Sequence, residues 1–386
     1  MGFANKKSLI PVSPSQEELA HFETIAVHRS FPVFMGCTAK PQEDDLFSDM
    51  HWLRNRMTDE IIIRPIIDSV HIYQENHNEV VGATWKEHHL KFGEFVAKHM
   101  SGEKVFEIGG AHGMASLSAR KKNPRIQWTI QDLNPIPVPE YVGEVVKGEF
   151  GSGEATELIS YKTIAHSHTL EHVHDQFSFL ASINSALEIG SRHILSWPNM
   201  DLMLRKRNLS FLNFEHTSFL PLNRVLALLE STGFTVIDTF CFGDHSIFIA
   251  TEKVSAIKNP PVFVDRHLGE FDDYFESLSI SARRLNQVIQ EFRGEIYLFG
   301  AHIFSQMLIS AGLDVSRIGV VLDNALHKQD KRLYGTSLIV KNPEILRERN
   351  QESGDILVIA AVGEYFEEVE QQLLAISSSI QVLGLK

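Results

Sequence analysis

The stretch Glu107-Ile108-Gly109-Gly110-Ala111-His112-Gly113 offers the clearest chemistry in this chain. VFEIG (105–109) reads as a short strand, and AHGMASLSARKK reads as the helix that follows it. Glycines at such a turn let the main chain approach a ligand closely and aim helix N-terminal amides at it. Asp132 ends the next strand, RIQWTIQD (125–132), where a carboxylate can accept hydrogen bonds from a ribose diol. The pair of features fits a nucleoside-bearing cofactor, either a nicotinamide dinucleotide or S-adenosylmethionine.

Histidine supplies the other reactive groups, with 19 in the chain. His166, His168, His172 and His174 form a run in which His168 and His172 have the i, i+4 spacing of a helical metal pair. The run straddles the end of a strand, so alternate side chains point apart, and no metal is expected there. Trp85 and His88 lie on a helix read over 84–99 that precedes the first strand.

The elements around these residues alternate. Strands at 105–109, 125–132, 161–168 and 192–199 are interleaved with helices, which implies a doubly wound sheet of βαβ units. TVIDTFCF and SIFIATE follow each other closely enough to form an antiparallel edge hairpin. Beyond Pro260-Pro261 a long helical stretch leads to strands at 295–301, 317–323 and 355–361. Gly300-Ala301-His302 and Asp323 give this part the outline of a mononucleotide-binding half, without a further glycine in the first helical turn. The expected order is an N-terminal arm or cap (1–70), a cofactor-binding domain (71–255), a helical linker (256–294) and a smaller Rossmann-like α/β domain (295–386).

Composition narrows the partners. The chain has 386 residues and a formal net charge of −13, which argues against a general nucleic-acid binder. Two cysteines cannot build a disulfide framework or a four-thiolate zinc site. No apolar run reaches the length of a membrane span, and the lysine-bearing N-terminus lacks the apolar core of a secretory signal. A cytoplasmic protein with a small-molecule substrate is expected, its oligomeric state open.

Glu107 stands two residues before Gly109, giving E-x-G-x-x-x-G, where dinucleotide enzymes have G-x-G-x-x-G with no acid inside the strand. This resembles motif I of class I S-adenosylmethionine-dependent methyltransferases, and TIQDLNP resembles their motif II. The longer pattern, SHTLEHVHDQFSFLASINSAL with ILSWPNMDLMLR and LNFEHTSFLPLNRVLALLESTGFTVID, resembles the sugar C-methyltransferase family of deoxysugar biosynthesis. So does IYLFGAHIFSQMLISAGL with GVVLDNALHKQDKRLYGTSLIV in the C-terminal part. The resemblance implies S-adenosylmethionine as donor and S-adenosylhomocysteine as product. It assigns Glu107, Gly109, Gly110, Gly113, Asp132, Ser167 and His168 to the donor. It assigns His216 as general base with Glu215 beside it, and Asn213, Trp85 and His88 to the acceptor side. C-methylation of a sugar or sugar-nucleotide follows from the same resemblance, with O- or N-methylation of another metabolite, or a NAD-dependent oxidoreductase, as the alternatives.

Three features depart from that family. Its paired C-x-x-C zinc motifs are missing. The segment commonly led by Tyr reads Asn213-Phe214-Glu215-His216. Phe304 and Ser305 stand where the second glycine loop has Lys and Gly.

Overall fold

The computed structural model describes residues 7–8, 16–72, 82–110, 113–133, 135, 138, 143–148, 150, 160–208, 210–261, 268–352 and 355–385. The chain divides into two compact units. One comprises 80–203 and 216–265, and the other 1–79, 204–215 and 266–386.

The first unit is built on a seven-stranded sheet. Its strands run, from one edge to the other, Phe234–Phe242, Ser246–Lys253, Arg192–Pro198, Thr163–Ser167, Lys104–Ile108, Gln127–Asp132 and Glu144–Lys147. Only Ser246–Lys253 runs antiparallel to its neighbours, as the sequence reading of an edge hairpin implies. The four central strands, buried on both faces, are short apolar runs. Strand order reverses beside Lys104–Ile108, whose neighbours are Gln127–Asp132 on one side and Thr163–Ser167 on the other. A crevice at the carboxyl ends of strands, at such a switch point, is where open α/β sheets bind ligands.

One face of this sheet is covered by the helix Ala83–His99, which buries His88, Phe92, Phe95 and Val96 at helical spacing. Its partner helix Met114–Lys122 comes so close that a Cβ on Gly93 would lie 2.1 Å from the carbonyl oxygen of Ala115. The core between them and the sheet contains Phe92, Val105, Ala119, Trp128, Ile130 and Phe248.

The second unit differs from the sequence expectation. Residues expected as an arm or cap instead form a sheet in which Leu46–Asn55 pairs antiparallel with Phe22–Pro32 and with Ile61–Arg64. Phe31, Phe34, Phe47 and Trp52 are fully buried. The expected linker contains the helix Leu268–Glu291, whose Tyr274 and Phe275 pack on Trp52 with ring centroids 5.8 and 5.0 Å apart. The short segment 204–215 joins the same core, with Phe211 5.8 Å from Trp52 and Phe214 6.0 Å from Phe31. The strands pair with near neighbours in the chain, but the aromatic residues that cover them lie some two hundred residues away, so short apolar runs broken by prolines gave no local sign of a core.

The C-terminal strands form a parallel sheet in the order Gln381–Leu383, Ile356–Ala360, Glu295–Phe299, Ile318–Leu322 and Ile339–Lys341, a Rossmann-like arrangement. Its edge is completed by Arg332–Leu333 and by Cys37–Thr38, which the N-terminal segment contributes. Arg332 grips Asp45 through two hydrogen bonds of 2.5 and 2.6 Å, and both residues are buried.

Candidate functional site

The glycine loop leaves the switch-point strand exactly where a cofactor crevice should open, but the loop's tightness comes from the residues beneath it. Gly109 and Gly113 hold φ of +73° and +64°, which other residues reach only with strain. A Cβ on Gly110 would lie 2.5 Å from Oε2 of Glu107, and one on Gly109 2.7 Å from Oγ1 of Thr169. Ala111 and His112 lie outside the described residues. Gly113 caps the helix Met114–Lys122 and donates its N–H to the carbonyl of Gly110 at 2.9 Å.

Glu107 is buried below this loop, and Nε1 of Trp128 donates to its Oε2 at 2.7 Å. Burial pushes its carboxyl up to about 7; the indole N–H pulls it down and nearby Asp132 adds to the rise. Glu107 thus supports the loop from inside the sheet. Asp132, half-buried at the end of its strand, remains the carboxylate at the crevice. Close-approach glycines, helix N-terminal amides and a strand-end acid fit the phosphate-free nucleoside and charged methionine end of S-adenosylmethionine.

Ser167 and His168 close the adjacent strand, and their side chains enter one network with His88. Oγ of Ser167 bonds Nε2 of His88 at 3.0 Å and Oγ of Ser196 at 2.8 Å. Oγ of Ser246 then gathers three imidazoles: Nε2 of His168 at 2.9 Å, Nδ1 of His88 at 3.2 Å, and Nδ1 of His245. A hydroxyl has one proton to give, so two of these rings must donate N–H to it. Burial, reinforced by neighbouring imidazoles, holds His88 and His168 well below the usual histidine range, and burial brings His245 to about 4. The cluster is neutral at pH 7. Trp85 covers it, with ring centroids 4.7 Å from His168 and 4.5 Å from His245.

The structure brings Trp85, His88, Ser167 and His168 together in one cluster. His245 and Ser246, which complete it, sit in and just after a hairpin turn and carried no spacing signal. The histidine run scatters as strand geometry requires. His166 faces His193, with Nε2 atoms 3.0 Å apart, and His174 bonds Thr217 at 2.9 Å. His172 meets His216, Nε2 to Nε2, at 3.4 Å. Beside them lies Glu171, fully buried and also unremarked in the sequence.

On the other unit, Asn213 spends both amide atoms on its own loop. Its Nδ2 donates to the Ser210 carbonyl at 3.0 Å, and its Oδ1 accepts from the Glu215 N–H at 2.7 Å. Asp323, the acid of the C-terminal half, is likewise occupied. It accepts from the Ala301 N–H at 2.9 Å and Lys328 at 3.1 Å, and although burial opposes ionisation, Lys328 and the backbone N–H groups hold its carboxyl below the usual range. Lys328 is consequently an internal ion-pair partner.

With this geometry in view, residues 83–239 match the family described as "Methyltransferase domain". Solved structures show a partial likeness to the chain. They include a chain of the complex between the Haloferax volcanii Trm112 methyltransferase activator and a methyltransferase (11% identity, 44% of this chain and 92% of that one, TM-score 0.37). The CurJ carbon methyltransferase is another (14%, 45% and 56%, TM-score 0.34), as is human N-acetylserotonin methyltransferase with S-adenosylmethionine (14%, 49% and 63%, TM-score 0.35). The likeness spans less than two thirds of the latter two and concerns the fold alone.

The domain over 83–239 is an S-adenosylmethionine-dependent methyltransferase domain. No curated protein matches the chain in sequence, so the acceptor has to be argued from this molecule.

Proposed function

We propose that this protein transfers the methyl group of S-adenosylmethionine to a small-molecule acceptor, a sugar or sugar-nucleotide, and that the methyl goes to carbon. The observation behind the assignment is the meeting of His216 with His172. His172 lies in the turn just after the strand Thr163–Ser167, neighbour of the switch-point strand, so His216 stands at the carboxyl end of these strands. The resemblance of 167–238 to the sugar C-methyltransferases supports the same choice.

In this reading Gly109, Gly110, Gly113 and Asp132 hold the donor, with Glu107 bracing the loop. Ser167 and His168 line the donor side, with Trp85 and His88 beside them toward the acceptor. The donor supplies an activated methyl group on its own sulfonium, so the protein's tasks are alignment and proton removal. His216 takes the acceptor's C–H proton, and Glu215, its neighbour in the chain, orients the acceptor. Asn213 is read on the acceptor side as well.

His216→Asn tests the assignment. Donor affinity should be retained while turnover at saturating donor falls by about 10²–10⁴-fold, the usual worth of a general base. Unchanged turnover would remove His216 from that role. Deuterium exchange at an acceptor C–H in the absence of donor distinguishes C-methylation from transfer to oxygen or nitrogen.

A further inference from the structure

Glu171, His172 and His216 can each aim one ligand atom at a common point, all within 4.8 Å of one another. Glu171 is 0% exposed, and apart from the 3.0 Å contact of its Oε1 with Nδ1 of the neutral His168, neither carboxylate oxygen has a hydrogen-bond partner. A buried carboxylate left so is costly unless a cation or donor completes it. The two imidazoles face each other through Nε2 atoms 3.4 Å apart. Two nitrogens bound tetrahedrally to one zinc ion at 2.0–2.1 Å would stand about 3.3 Å apart.

We infer that Glu171, His172 and His216 form a binding site for a divalent transition-metal ion of the zinc class, with one coordination position left open. Two imidazoles and a carboxylate suit zinc, whereas magnesium prefers oxygen ligands throughout. Nδ1 of His168 lies 3.0 Å from Oε1 of Glu171 and orients the carboxylate from behind. The neighbouring trio of His88, His168 and His245 is a weaker candidate, because the Ser246 hydroxyl already stands at its centre.

The site shares His216 with the proposed catalytic machinery. A metal on its ring nitrogen uses the lone pair that would otherwise take a proton, so metal occupancy and general-base action exclude each other. The inhibitory consequence rests on the base assignment; the metal site itself does not.

Untagged full-length protein, stripped with chelator, is titrated with zinc by calorimetry, and cobalt(II) absorption reports the coordination geometry. One zinc per chain is expected, with affinity at least tenfold weaker in Glu171→Gln and His172→Ala and unchanged in His245→Gln. Thermal melting and donor binding of each variant establish that it is folded. No zinc binding by the wild type, or equal binding by the two ligand variants, would overturn the site. Methyl transfer by the zinc-loaded protein is a separate arm. Loss of turnover agrees with His216 as the base, and undiminished turnover at full occupancy removes that role while leaving the metal site standing.

Discussion

Trp128 and Glu107 occupy adjacent parallel strands, and the indole N–H donates to the carboxylate at 2.7 Å beneath the glycine loop. The bond links the core of the methyltransferase domain to the loop that must approach the donor. It also leaves a carboxyl group buried in apolar surroundings whose ionisation the fold resists.

That arrangement predicts a pH dependence. Burial pushes the carboxyl up to about 7 in the folded protein, against 4.5 for an ordinary glutamate in the unfolded chain. Between these values the folded chain keeps a proton that the unfolded chain has lost, so this group's contribution to stability decreases as pH rises from 4.5 to 7. The whole effect is about 3 kcal/mol. Urea denaturation of wild type and Glu107→Gln should show the variant gaining relative stability across this window. Parallel curves would show that Glu107 is not perturbed.

Trp128→Phe removes the donor and leaves the carboxyl buried. A loss of about 1–3 kcal/mol is expected from the orphaned acceptor. The same variant should weaken donor binding, measurable by calorimetry with S-adenosylhomocysteine.

His166 acts in the opposite pH direction. Burial brings its imidazole to about 3, against 6.5 when unfolded. Below 6.5 the unfolded chain takes up a proton that the folded chain refuses, and stability falls as pH falls. At pH 5 the cost from this residue is about 2 kcal/mol. Ring nitrogen shifts should show His166 neutral in the folded protein throughout pH 7 to 5; an imidazolium signal at pH 6 would contradict it.

Gly110→Ala should injure donor binding more than folding. Its new Cβ would lie 2.5 Å from Glu107 Oε2 and must displace the carboxylate or the loop. At least tenfold weaker binding of S-adenosylhomocysteine is expected. Gly93→Ala meets backbone at 2.1 Å instead, and should cost stability, about 1–3 kcal/mol or more.

In the second unit Asp45→Asn leaves Arg332 buried without its counter-charge. Breaking such a pair costs about 3–5 kcal/mol. A lower thermal midpoint is expected in differential scanning calorimetry, and an unchanged midpoint would mean that the pair contributes nothing net.

Much of the methyltransferase domain was legible in the chain, since its strands and helices are local runs with clear periodicity. E-x-G-x-x-x-G and Asp132 are local as well, because a glycine turn and a strand-end acid need only their own neighbours. The helix read over 84–99 and the hairpin of 234–253 were visible for the same reason. The residues missed are those whose meaning depends on distant partners. His245 and Ser246 matter because a hairpin turn is folded against His88 and His168, and Trp128 matters because strand pairing sets it beside Glu107.

The N-terminal residues make the same point on a larger scale. Their alternation is broken by prolines, and aromatic contacts with residues some two hundred positions away turn their locally paired strands into a core. Sequence alone thus determined the class of cofactor fold and the glycine loop proposed to receive the donor, because backbone conformation there is dictated by glycine and strand propensity. Tertiary structure alone decided which of the 19 histidines share a site, because side chains converge through packing of segments that are remote in sequence.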